Sequence, residues 1–112
     1  MKKLVVLWTD GNKVSVENMI FMYTLNAKKK GWWEEVELII WGAATELAAS
    51  DEHIQELIKQ MIQAGVNVRA CKACAENLDK VQELESLGIE VLYIGQPFTE
   101  HLKDPETKVI TL

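Results

Sequence analysis

The chain is short of several things, and each shortage excludes something. It has only two cysteines, Cys71 and Cys74, so no disulfide framework braces it. It has two prolines and six glycines in 112 residues, and no linker, low-complexity segment or repeat divides it. One domain over residues 1–112 is expected. No apolar run approaches the length that spans a bilayer. The opening "MKKLVVLWTDGN" joins a basic pair to an apolar run that stops too early for a signal peptide, and no small-residue cleavage site follows. A cytoplasmic protein in a reducing compartment is therefore expected. Twelve basic residues stand against 17 acidic ones, a net charge of −5. That balance repels phosphate backbones and anionic headgroups, so neither nucleic acid nor a membrane is an expected partner. The longest basic run, Lys28-Lys29-Lys30, sits at the end of a helical pattern, where cations complement the helix dipole.

Familiar cofactor signatures are missing too. There is no G-x-G-x-x-G and no P-loop. The stretch "TDGNKVS" echoes a flavin phosphate loop, but Asp10 would repel a phosphate and Val14 lacks the hydroxyl such a loop uses. Zinc would need about four ligands, and only His53 and His101 could join the cysteines, without paired spacing. Each histidine reads as a solvated helix residue. No cofactor and no metal are expected.

What is present is a core-forming composition, 48% hydrophobic and 26% charged. Short apolar runs alternate with helical patterns. "KLVVLW" reads as a first strand ending in the turn cluster "TDGN". Val16, Met19, Ile20 and Tyr23 then form a helix face, and Phe21, Met22 and Leu25 a second one, a hint of a subunit interface. "VELIIW" (residues 36–41) is the second strand and "AATELAA" one or two helical turns. Ser50 is the expected N-cap of the next helix, whose stripe is Ile54, Leu57, Ile58, Met61 and Ile62, closed by Gly65. "VNVRAC" is the third strand. Asp79 with Gln82 reads as a capping box that restarts the following helix. "IEVLYIG" is the fourth strand, Pro97 suits the first turn of a short helix, and "VITL" is the last strand. Strand–helix alternation with short links predicts an α/β domain in three layers, α/β/α, around a five-stranded, mostly parallel sheet with flavodoxin-like layering.

In such folds the ligand crevice lies beyond the carboxyl ends of the strands. That edge collects Asp10 and Asn12, Trp41 and Gly42, Cys71 to Cys74, and Gly95 with Gln96. The stretch "VRACKACAENL" places Cys71 where the third strand meets a helix N-terminus. Helix-end N–H groups and the nearby Lys72 favour its thiolate, which lowers a thiol pKa toward neutrality. Cys74, three residues on, falls on about the same side of the first turn and can resolve or hydrogen-bond. Two small buried hydrophobes are the plainer alternative. A thioredoxin-type pair fits poorly, because the motif follows the third strand and neither proline precedes a strand in the way that fold requires. Asp10 and Asn12 read as turn formers or pocket wall. The four tryptophans read singly as core or sheet cover.

"VNVRACKACAENL" followed by "LGIEVLYIGQPFTEHLKD", with "LIIWGAATELAA" before them, resembles the DsrE/DsrF-like family. Its members are small sulfur-relay proteins that include the TusD-type tRNA-thiolation carriers. The resemblance is strongest from Val66 to Asp104. It implies a compact fold with a five-stranded, mostly parallel sheet and homo- or hetero-oligomers, often trimers or hexamers. It also implies that Cys71 carries persulfide sulfur between donor and acceptor proteins, with Cys74 matching a second cysteine of some branches. An oligomeric binding module without covalent chemistry, its pocket near Asp10, Trp41 and Gln96, is the alternative.

Overall fold

The computed structural model describes residues 2–112. Five strands form one sheet: β1 (Lys3–Trp8), β2 (Glu35–Ile40), β3 (Asn67–Cys71), β4 (Glu90–Leu92) and β5 (Thr107–Thr111), in the order β4-β3-β2-β1-β5. Every pairing is parallel, so the sheet is parallel throughout rather than mostly so. Six helices connect the strands: α1 over residues 13–29, α2 (Ala43–Ser50), α3 (Glu52–Gln63), α4 (Lys72–Leu78), α5 (Val81–Ser86) and α6 (Gly95–Lys103). No helix among the described residues is long and apolar enough to cross a membrane.

The register divides the side chains between two faces. Leu4, Val6 and Trp8 of β1, Val36, Leu38 and Ile40 of β2, and Val68 and Ala70 of β3 share the first face. Helices α1 to α5 cover it, led by the α3 stripe of Ile54, Leu57, Ile58 and Met61. Each such side chain, fully buried, contributes about 1.5–3 kcal/mol. The second face is covered by α6 alone. At the carboxyl half of the strands it is apolar, with Val5, Leu7, Ile39 and Cys71 meeting Ile94 and Phe98. At the amino half it is charged. There Glu37 is 1% exposed, and its carboxylate meets Lys3 Nζ at 3.2 Å, His101 Nε2 at 3.0 Å and Arg69 at 3.8 Å. Asn67 donates to the same carboxylate at 3.3 Å. His101 is thus a nearly buried partner of Glu37, not the solvated helix residue expected; α6 lays it across the sheet. His53 remains on the surface, 3.1 Å from Glu17.

Several local expectations change. In α1 the core residues are Val16, Ile20, Thr24 and Ala27, while Met19 is 46% exposed. The cause is a π-helical turn, Val16–Ile20, in which Phe21 N–H bonds to the Val16 carbonyl; the longer turn slips the phase of the face. Ser50 is not the cap of α3. It is still helical, and its hydroxyl donates to the Glu46 carbonyl at 2.7 Å. Asp51 caps instead: its backbone is extended and its carboxylate accepts the Ile54 N–H at 3.0 Å. Asp79 does not open a capping box; in a left-handed conformation (φ 57°) it closes α4, and Lys80 precedes α5 without a side-chain cap. The fourth strand is only three residues long, because the chain turns helical at Ile94 to enter α6.

Asp51 also receives Lys13 Nζ at 2.9 Å, which ties the start of α1 to the α2–α3 junction. The Ile54 N–H and then Lys13 hold its carboxyl below the ordinary carboxylate range. A carboxyl depressed in the folded state adds stability above its unfolded pKa, and that stability fades as the pH falls through the folded value. Asp51→Asn is therefore expected to lose stability at neutral pH and to converge with the wild type in acid. Urea titrations over a pH series check this; a gap that is constant down to the acid limit would contradict it.

Candidate functional site

Strand β3 is an interior strand, paired on both sides, and it delivers Cys71 to the carboxyl edge of the sheet on the α6 side. Cys71 ends β3 and caps α4, with φ −67° and ψ 116°. Its Sγ accepts the Cys74 N–H at 3.4 Å. The side chain packs among Val5, Leu7, Ile39 and Ile94 and is only 4% exposed. Burial pushes the Cys71 thiol up, and the Cys74 thiol beside it pushes the same way; the N–H groups of Cys74 and Ala73 pull it down but do not prevail. The sequence led us to expect an exposed thiolate of lowered pKa at Cys71. Desolvation overrides the helix end there.

Lys72 does not serve that thiol either. Its ammonium lies 5.3 Å from the centroid of the Tyr93 ring. The Tyr93 hydroxyl in turn donates to the Glu76 carboxylate at 3.0 Å, which pushes the phenol up.

Cys74 sits at the rim of the same apolar cluster and is more open. Both cysteines are free thiols, and Cys74 is half-buried in the first turn of α4. It lines a cavity of about 300 Å³ with Gly42, Ala43, Glu46, Asn77 and Leu78. A neighbouring cavity of about 340 Å³ shares Glu46 and Leu78 and runs on to Ala49, Ser50 and Lys80. The two form a groove between α2 and the α4–α5 corner. Gly42 shapes its mouth: at φ 65°, ψ −139° it holds a backbone conformation that a side chain rarely tolerates.

The structure therefore brings Cys71, Cys74 and Gly42 together. Trp41 joins the cluster around Cys71 and packs edge-on against Phe98, ring centroids 5.7 Å apart. Asp10 and Asn12 share the sheet edge but are occupied by the turn. The Asp10 carboxylate accepts the Asn12 N–H at 2.8 Å, and the Asn12 side chain caps α1 through Val14 and Ser15. Gly95 and Gln96 open α6: the Gly95 carbonyl accepts the Thr99 hydroxyl, and Gln96 reaches Glu100 at 3.5 Å. None of these four lines the cysteine groove. Glu46, Asn77 and Leu78 do, and sequence reasoning missed them. A signal existed, since Glu46 lies one helical turn beyond Gly42, and Asn77 and Leu78 one turn beyond Cys74. Among the described residues no group of three or more His, Cys, Asp and Glu side chains could hold a metal ion.

Comparison with known proteins bears on this arrangement. A structure described as a conserved protein of unknown function, BT1422 from Bacteroides thetaiotaomicron, is 42% identical, with a TM-score of 0.95 over 99% of this chain and 95% of that one. The ychN protein from E. coli superposes over 100% of both chains with a TM-score of 0.74 at 14% identity, which shows a shared fold. No curated protein matches the chain. The family model described as DsrE/DsrF-like matches residues 1–104. By that match, and by the parallel five-stranded domain with a cysteine at the end of its third strand, the chain belongs to the DsrE/DsrF-like family.

Proposed function

We propose that this protein is a small sulfur carrier that holds sulfane sulfur on the Cys71–Cys74 pair and passes it from a donor protein to an acceptor protein. Family membership supports a sulfur-relay type of protein. The observation that carries the finer reading is the pair itself: two free thiols in one helical turn, joined through the Cys71 Sγ and the Cys74 N–H, with Cys74 lining a groove. Loading requires only that a thiolate attack the outer sulfur of a persulfide, forming a new S–S bond while the donor's thiolate leaves with the proton. Residues of the triad or metal type are not needed. The reading suits the cytoplasm, where both thiols stay reduced. It also includes a homo-oligomer, trimeric or hexameric, a reading supported by Val14, Met19 and Met22 standing exposed on α1.

The test is to incubate the reduced protein with a sulfane donor and weigh it. One added sulfur atom, removable by dithiothreitol and absent from the Cys71→Ser/Cys74→Ser double variant, is expected. No adduct at any time point in the wild type or in Cys71→Ser, or an adduct that survives in the double variant, refutes the carrier. The burial of Cys71 favours a second reading, an oligomeric binding module without covalent chemistry. That reading expects the double variant to bind its ligands unchanged.

A further inference from the structure

We infer that the two thiols divide the work: Cys74 receives sulfur from the donor, and Cys71 later expels it as sulfide, closing a Cys71–Cys74 disulfide. This inference rests on the sulfur-carrier reading and assigns its parts. Family resemblance would put the sulfur on Cys71, but the geometry reverses the order. A donor persulfide has to bring its outer sulfur into contact with the attacking atom. Cys71 is sealed among Val5, Leu7, Ile39 and Ile94. Cys74 is half-buried and faces the groove between Gly42 and Ala43 on one side and Asn77 and Leu78 on the other. Small residues at Gly42 and Ala43 leave the room that a persulfide needs. Cys71 then lies beneath the loaded sulfur, within the same turn, its Sγ 3.4 Å from the Cys74 nitrogen.

The atoms balance without an outside oxidant. In the first step Cys74 gives up its proton, its sulfur bonds to the donor's outer sulfur, and the donor thiolate departs protonated. In the second, Cys71 loses its proton and its sulfur attacks Cys74 Sγ. The bond from Cys74 to the carried sulfur breaks, and that sulfur leaves as sulfide with the proton. The sulfane sulfur gains two electrons, and the two thiols supply them as they become a disulfide. Reduction by a cellular dithiol restores the pair. An acceptor competes with this discharge for the carried sulfur, so the lifetime of the Cys74 persulfide decides between transfer and loss. Burial keeps Cys71 protonated at neutral pH, which prolongs that lifetime. Discharge needs Cys71 as its thiolate and the carried sulfur in its protonated form, so that it leaves as hydrosulfide.

Inorganic polysulfide under anaerobic conditions is the probe, with mass spectrometry as the readout. The wild type should pass through a one-sulfur adduct and end as the disulfide. Cys71→Ser should stop at the adduct on Cys74, and Cys74→Ser should stay unmodified on the same timescale. Brief alkylation of the native wild type gives a reading independent of any variant's folding. Trypsin cuts after Lys72 and so separates the two thiols, and Cys74 should be labelled first. Sulfur on Cys71 in Cys74→Ser, or faster labelling of Cys71, overturns the division and leaves the carrier standing. Failure of the wild type and both variants to take any sulfur overturns both.

Discussion

Replacing Glu37 by alanine is expected to destabilise the protein by about 3–5 kcal/mol. Glu37 sits in the middle of β2, a strand with neighbours on both sides, and is 1% exposed. A carboxylate in that position is tolerable only if its lost hydration is replaced. Lys3 and Asn67 address one oxygen and His101 and Arg69 the other. Arg69 is shared, since its Nε also donates to Glu90 at 2.9 Å. Alanine leaves Lys3 and Arg69 facing one another across an emptied site, with only Glu90 still beside Arg69, and the lost pairing supplies most of the cost. Glu37→Gln keeps the volume and part of the hydrogen bonding, so it should fall between. Urea unfolding measures both; an alanine variant within about 1 kcal/mol of the wild type would show that the carboxylate does not organise this face.

Trp8→Ala should cost a similar amount, about 3–5 kcal/mol, by a different route. Trp8 is 1% exposed at the end of β1, where its ring completes the larger hydrophobic core beside α1 and α2. Its indole N–H also donates to the Asp10 carbonyl at 2.7 Å and so anchors the turn from Thr9 to Asn12 that launches α1. Alanine leaves a cavity the size of an indole and releases the turn together. Trp8→Phe separates the two contributions, because it refills most of the space but cannot donate. The phenylalanine variant is expected to lose on the order of 1 kcal/mol more than its reduced volume accounts for, from the unpaired carbonyl. Denaturation midpoints at constant slope decide the matter. Equal stability of the alanine and phenylalanine variants would mean that the ring's volume counts for nothing.

The contrast between these two residues shows what the sequence made readable. Trp8 closes a mainly apolar run, and runs of that kind at Lys3–Trp8, Glu35–Ile40 and Asn67–Cys71 announced three strands nearly to the residue. Glu37 sits inside one of those runs, and nothing local says that it is buried. Its partners come from β1, β3 and α6, up to 64 positions away. Caps were less readable than strands because Ser50 and Asp51 are both good capping residues, and the choice depends on where α2 ends. The phase of α1 was obscured by a π-helical turn that no pattern of side chains signals. At the site, position was legible and environment was not. The run into "ACKAC" placed Cys71 at a strand end, but its exposure depends on Ile94, Leu7 and Ile39 closing over it from three other elements. An N-terminal helix position then argued for a low thiol pKa, and burial, which a sequence does not display, reversed the sign.

The pairing of β1 with β5 has a consequence for biosynthesis. Thr9 and Asp10 N–H groups are held by the Leu112 carbonyl, and the Thr9 hydroxyl reaches across 103 positions to it. Until β5 is seated, that flank of β1 lacks its neighbour. A newly made chain in that state offers an open ladder beside Val5 and Leu7 to any extended peptide nearby. Docking of residues 107–111 is therefore what closes this flank against edge-to-edge association.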